Sequence, residues 1–191
     1  AVEDLGIREN TYVLFMGDNG TEERFFHNPE AGGAGEKAHT RHTTSGPVNG
    51  GKHQLNDAGS HVPLIAWGAA EIPAGTVCDD LVDIVDLFPT FCELSGTPIP
   101  DSIKVDGRSL IPQFHGNPGV ERRWTHQGLP EGETLFDGSW RLFRKDGALV
   151  DARNLPRERR VEKEREAGTV RKSLSEVFER ISQGGPRPPE A

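Results

Sequence analysis

Apolar positions along the chain change spacing from one stretch to the next, and each spacing predicts an element. Thr11-Tyr12-Val13-Leu14-Phe15-Met16 is a continuous β-favouring run, which predicts a strand covered on both faces, as in a parallel sheet. Ala1 to Asn10 before it reads as the last turn of a helix and its exit, with Gly6 as the C-cap residue. Thr21 to Gly51 has little periodicity and many Gly, His and Thr residues, which predicts a long loop of the kind that is either functional or disordered. Val62 to Trp67 predicts a second strand with Pro63 at its entry, and Ile72-Pro73-Ala74-Gly75 a turn. From Asp80 the spacing becomes helical, with Leu81, Ile84, Val85 and Phe88 on one face. Pro89 interrupts it, so two short helices are expected, the second over Pro89 to Leu94 and stopped by Gly96. Pro98 to Pro118 reads as a surface connector.

The texture then shortens. Thr134 to Phe136, Trp140 to Arg144 and Ala148 to Val150 predict strands, with Asp146-Gly147 turning the last two into a hairpin. Lys172 to Ser182 is amphipathic, with Leu174, Val177, Phe178 and Ile181 on one face. Gly184 to Ala191 is a Pro-rich tail, expected to be disordered. There is no internal repeat.

Composition narrows the classes. Only 34% of the 191 residues are apolar, with 23 Gly and 14 Pro, so loops surround one core or a core and a small annex. A formal net charge of -8 argues against a nucleic-acid partner. The Arg- and Lys-rich stretch from Arg141 to Lys172, interleaved with Glu, reads as a solvated helix face. Cys78 and Cys92 lack C-x-x-C spacing and a nearby histidine pair, which speaks against zinc and predicts two buried free thiols. No apolar run approaches the ~20 residues of a membrane span.

The candidate chemistry sits at the strand ends. Asp18-Asn19 offers a carboxylate and an amide oxygen just after the first strand, donors that suit calcium or magnesium, though Asp-Asn-Gly is equally ordinary turn chemistry. In Gly50-Gly51-Lys52 the glycines let backbone approach an anion and the lysine adds a point charge, though a lone loop lysine reads as solvated. His39, His42, His53 and His61 lie loosely in one region without the spacing of a helical zinc site. His61, just before the second strand, is placed to face the same crevice. Ser45, Thr43 and Thr44 have no recognisable activating partner, and Gly-x-Ser-x-Gly does not occur.

The order of these pieces resembles the sulfatase family. Leu5 to Gly20 is similar to its helix end and strand closing on Asp-Asn-Gly. Gly50-Gly51-Lys52 followed by Gly59-Ser60-His61-Val62-Pro63 is similar to its Gly-Lys and Gly-x-Arg/His-Val-Pro segment. Val85-Asp86-Leu87-Phe88-Pro89-Thr90 resembles its Asp-Leu-x-Pro-Thr helix pair, Asp106-Gly107-Arg108-Ser109-Leu110 the segment after it, and Trp140 to Pro156 its C-terminal hairpin.

The resemblance implies an α/β, alkaline-phosphatase-like sandwich, present in part, with a small antiparallel C-terminal subdomain. Residues 1–118 would be the C-terminal half of the catalytic domain and 119–157 the antiparallel subdomain. A helical segment at 158–183 and a disordered tail at 184–191 would follow. It implies a sulfuric ester hydrolase with calcium and a formylglycine made from Cys or Ser in a Cys/Ser-x-Pro-x-Arg motif. Carried over, Asp18 and Asn19 match metal ligands, Lys52 the catalytic, sulfate-contacting lysine, and His61 a substrate-binding position. Expected partners are a sulfated small molecule or glycan and a missing N-terminal half. The expected compartment is periplasmic or extracellular.

Departures are specific. Cys/Ser-x-Pro-x-Arg does not occur in these residues, and Ser45-Gly46-Pro47-Val48-Asn49 has Asn49 in place of the arginine. The paired upstream aspartates are absent, Asp57-Ala58 replaces Glu-Gly, and Val150 replaces a tyrosine. This chain alone is therefore expected to be inactive. Two rivals stand beside the sulfatase reading: a phosphatase or phosphonate hydrolase of the same superfamily, and a non-catalytic remnant or partner subunit. Asn19, standing where the zinc phosphatases have histidine, leans away from them.

Overall fold

The computed structural model of the chain describes residues 1–22, 41–43, 46–48, 50–68, 72–155, 157–161 and 165–184. These fall into two units. One holds 1–15 with 64–125 and Gly184; the other holds 16–63 with 126–183.

In the first unit, hydrogen-bonded turns lead through Gly6, whose φ of 65° suits its capping position, to a 3₁₀ turn at Arg8–Asn10. Strand β1, Tyr12–Met16, pairs with β4, Leu64–Gly68, in a two-stranded sheet. Within these residues the expected cover on both faces is not present. Exposure alternates along both strands, and Val13, Phe15 (61% exposed), Ile65 and Trp67 leave one face open to solvent. A continuous apolar run fixes the strand but cannot supply the layer that buries its second face.

The next helical stretch is also turned against expectation. A 3₁₀ turn at Ile84–Asp86 runs directly into α2, Leu87–Leu94. Pro89 occupies the third position of α2, where the missing N–H is one that a first helical turn leaves unpaired anyway, so α2 begins two residues before it. Gly96, with φ 65°, ends the helix, and the Thr97 amide closes back on Cys92 O at 2.9 Å. The buried side chains are Asp86 (1% exposed) and Thr90 (0%), while Ile84, Val85, Phe88 and Phe91 are exposed.

Polar bonding explains the inversion. The Asp86 carboxylate pairs with Arg122 and accepts the Asp83 and Arg108 amides, each at 2.8 Å. The Thr90 hydroxyl donates to Asp86 O at 2.6 Å and accepts the Leu110 amide at 2.9 Å. A buried charge so satisfied is tolerable, and it ties the 105–110 connector to the helix. Gly107 is required in that connector, since a Cβ there would lie 1.9 Å from Val85 O. The connector stretch also contains a short helix, α3, Ile111–Phe114. Both cysteines are free, but Cys78 is exposed and Cys92 half-buried, which corrects the expectation of two buried thiols.

The second unit has its own core. Strands β5 (Thr125–Leu129), β6 (Gly132–Phe136), β7 (Trp140–Phe143), β8 (Leu149–Asp151) and β9 (Arg159–Val161) form a five-stranded sheet in chain order. Its antiparallel register aligns Leu135 with Leu142, Leu142 with Leu149, and Leu149 with Val161, a buried row across four strands. Helix α4, Arg165–Ser182, buries Ala167, Leu174, Val177 and Phe178 at its predicted spacing and contacts β7. Asp146-Gly147 forms the expected turn: Gly147 has φ 65°, and the Asp146 carboxylate accepts the Ala148 amide at 3.0 Å.

The basic stretch from Arg141 to Lys172 is not one helix face. It runs through β7, β8 and β9 before entering α4, and Arg141 is 1% exposed. Period-two strands alternate their side chains, so a charge run in sequence becomes charges on both faces. Within the predicted loop, β2 (Arg41–Thr43) and β3 (Gly46–Val48) pair antiparallel. The rest of that loop between 23 and 40, and all of the tail after Gly184, lie outside the described residues. Every large apolar side chain that is exposed among the described residues belongs to the first unit. No described helix is long and apolar enough to cross a membrane.

Candidate functional site

In the second unit, three segments far apart in sequence meet backbone to backbone. The Gly17 amide donates to Pro63 O at 3.1 Å, and the Gly20 amide to Gly59 O at 2.9 Å. The Gly51 and Lys52 amides both donate to Thr21 O, at 2.8 and 3.1 Å. Glycine makes this closeness possible. A Cβ on Gly20 would lie 1.9 Å from Ala58 O, one on Gly51 2.3 Å from Ala58 C, and one on Gly59 2.0 Å from Gln54 O. The Asp18-Asn19-Gly20 turn, the Gly50-Gly51-Lys52 turn and the Asn56–His61 turn are thus one junction. At the backbone it joins the turns that carry the four residues singled out in sequence, Asp18, Asn19, Lys52 and His61.

Asp18 is exposed and Asn19 half-buried. Asp18 Oδ1 accepts the Asn19 amide at 2.9 Å, which leaves its second oxygen uncommitted by that bond. Asn19 Nδ2 donates to Gly20 O at 2.7 Å, which commits the nitrogen and leaves the amide oxygen as the acceptor. These are hard oxygen donors of the kind calcium takes, but calcium needs about 6–8 of them and this pair supplies a minority. Among the described residues no group of three or more His, Cys, Asp or Glu could hold a metal. Asp18 and Asn19 fit as part of a calcium set, not as the whole of one.

Lys52 is half-buried, and among the described residues its ammonium has no ion-pair or hydrogen-bond partner. His53 follows in the left-handed region at φ 66°, which folds the chain back and is rare for a residue with a Cβ. It is exposed. His39 and the His42 side chain lie outside the described residues.

The third turn is a short helix, α1, Asp57–Ser60. Asn56 caps it: its Oδ1 accepts the Gly59 amide at 3.2 Å, and the Ser60 hydroxyl donates to Asn56 O at 3.0 Å. Asp57 Oδ1 lies 2.9 Å from His61 Nδ1, although the His61 side chain is 69% exposed. Glu158 Oε1 accepts the Asp57 amide at 3.2 Å and Arg141 Nε at 3.0 Å. Sequence reasoning missed Asp57, Arg141 and Glu158. The i, i+4 spacing of Asp57 and His61 was a usable signal for the first. Nothing local announces a bond across 101 positions.

The comparisons speak to family and fold. The sulfatase family model matches residues 1–97. N-acetylgalactosamine-6-sulfatase of Canis lupus familiaris is 36% identical over 121 residues, covering 63% of this chain and 21% of its own length. Arylsulfatase D of Homo sapiens is 30% identical over 155 residues, covering 78% of this chain and 23% of its own. The chain spans about a fifth of the length of these relatives.

Among solved structures, one holding its substrate D-glucosamine-2-N,6-O-disulfate superposes with TM-score 0.67 at 18% identity, over 95% of this chain and 36% of that one. A phosphonate monoester hydrolase of Agrobacterium radiobacter superposes with TM-score 0.63 at 19% identity, over 96% and 37%. The shared fold is the alkaline-phosphatase-like α/β fold.

Proposed function

Because the chain belongs to the sulfatase family, we propose that it is the C-terminal part of a sulfate-ester hydrolase. Residues 1–118 would close the catalytic domain, followed by the antiparallel subdomain, which β9 carries past the expected boundary at 157 to Val161, and then by helix α4 within the expected 158–183 segment. The observation that carries this reading is the glycine junction, which gathers the Asp-Asn turn, the Gly-Lys turn and the His61 turn. Lys52 serves as the catalytic lysine, neutralising the sulfate group as it leaves; His61 binds the same group. Asp18 and Asn19 contribute to holding calcium, which when bound supplies charge that polarises sulfate oxygens.

The nucleophile comes from elsewhere. Formylglycine needs Cys/Ser-x-Pro-x-Arg, which these 191 residues do not contain. Without an activated nucleophile a hydrolase keeps only the small rate that binding and charge stabilisation give. The open apolar face of β1 and β4, with Phe88 and Phe91 exposed on α2, supports a further part of the catalytic domain packing on the first unit. The substrate class is a sulfated glycan or small molecule, and the compartment periplasmic or extracellular.

Two measurements test this. The coding sequence upstream of Ala1 should read, in frame, into Cys/Ser-x-Pro-x-Arg preceded by paired aspartates; a stop codon with no such motif would refute the catalytic reading. The purified 191-residue chain should release no sulfate from an aryl sulfate, and measurable turnover would refute the inactivity of this part alone. The phosphonate hydrolase among the structural neighbours supports a second reading, a phosphatase or phosphonate hydrolase. Metal analysis of the longer protein separates the two: calcium supports the sulfatase, zinc or manganese its rival.

A further inference from the structure

We propose that Glu158, clamped by the buried Arg141, is a positioning residue for His61, setting through Asp57 which imidazole nitrogen carries the proton. The proposal rests on the sulfatase reading only for what His61 then does.

The chain of contacts is continuous and stays within the second unit. Arg141 is 1% exposed, donates through Nη1 to Gln127 Oε1 at 3.2 Å, and lies with its guanidinium carbon 4.8 Å from the centre of the Phe136 ring. Its Nε donates to Glu158 Oε1 at 3.0 Å, so the carboxylate is fixed to the sheet, not swinging in solvent. The same oxygen accepts the Asp57 amide at 3.2 Å. That amide is the first of α1 and has no partner inside a helix, so Glu158 supplies one from 101 positions away.

Asp57 is thereby fixed at its backbone, and its Oδ1 meets His61 Nδ1 at 2.9 Å. An ionised carboxylate only accepts, so Nδ1 must donate. In the neutral ring the lone pair is then on Nε2, the reverse of the tautomer a free histidine favours. The antiparallel subdomain therefore does more than cover a core. It fixes the turn that the Gly20 and Gly51 backbones touch and selects the form in which His61 meets a ligand.

The test is long-range proton–nitrogen NMR on the full 191-residue chain labelled at histidine, under conditions where His61 is neutral. The expected wild-type pattern is a pyrrole-type Nδ1 and a pyridine-type Nε2. Glu158→Ala should shift the pattern toward the ordinary Nε2–H tautomer, and Asp57→Ala, which removes the acceptor for Nδ1–H, should do so fully. Glu158→Gln keeps an oxygen for the Asp57 amide and should restore most of the wild-type pattern. Arg160→Ala breaks an exposed pair with Asp146 (3.3 Å) in the same sheet and should change nothing at His61.

A wild-type pattern in Glu158→Ala, or an equal shift in Arg160→Ala, would overturn the proposal. Should Glu158→Ala fail to fold, Glu158→Asp, whose shorter side chain withdraws the oxygen, replaces it with the same two outcomes. Sulfate release by the longer protein is read separately, so failure of the sulfatase reading leaves this spectrum interpretable.

Discussion

Replacing Gly20 by alanine should break the junction that assembles the site. The added Cβ would sit 1.9 Å from Ala58 O and 3.0 Å from Gly59 Cα. Ordinary carbon-to-oxygen contacts are about 3.3–3.6 Å, so the two turns must part by roughly 1.5 Å. Overfilling a packed site costs about 1–3 kcal/mol. Separation also lengthens the 2.9 Å bond from the Gly20 amide to Gly59 O, and a lost hydrogen bond adds ~1 kcal/mol. The expected loss is about 3 kcal/mol, or roughly 6–12 °C in Tm for a chain of this size.

The assay is thermal unfolding by circular dichroism, with Gly168→Ala as a matched control. Gly168 lies in α4 with nothing within 4 Å of its added Cβ, so alanine there should stabilise by about 0.5–1 kcal/mol. Opposite signs at two glycines would separate steric need from helix propensity. A Gly20→Ala melt within about 2 °C of wild type would refute the close-packed junction.

Asp86→Ala should cost about 3–5 kcal/mol in urea unfolding, because it leaves the buried Arg122 guanidinium unpaired; a loss under about 1 kcal/mol would mean that the pair is not buried. Hydrogen bonds from Arg153 hold the Asp151 carboxyl down to about 2, so its stabilisation is complete above an unfolded value of ~3.9 and is lost as pH falls toward 2. An acid titration of Asp151→Asn should therefore lack stability lost between those values in wild type, and identical curves would contradict this. Phe15→Ser should weaken binding of an apolar dye with little change in Tm, since the ring is 61% exposed; a large Tm drop would show that ring to be core. Calcium should bind this chain no tighter than ~10⁻³ M by calorimetry, given two ligands of the needed set, and sub-millimolar binding would show a fuller site.

The sequence by itself determined most of the elements and which turns carry the proposed site residues. A continuous apolar run placed β1, short apolar stretches placed β7 and β8, helical spacing placed α4, Asp146-Gly147 marked its turn, and the glycines beside Lys52 marked close backbone approach. These are local properties, written in spacing and in the absence of a Cβ.

What the sequence left open was direction and distance. Periodicity said that Ile84, Val85 and Phe88 share a face; only the packing of Asp86 against Arg122 and Thr90 against Leu110 decided that the opposite face goes inward. An apolar run at β1 specified a strand, but whether both faces are covered depends on layers no strand contains. The bond from Glu158 to Asp57 spans 101 positions, and its geometry exists only once the sheet has placed Arg141 beneath it. Local spacing fixes which side chains point together; the folded backbone alone fixes what they point at.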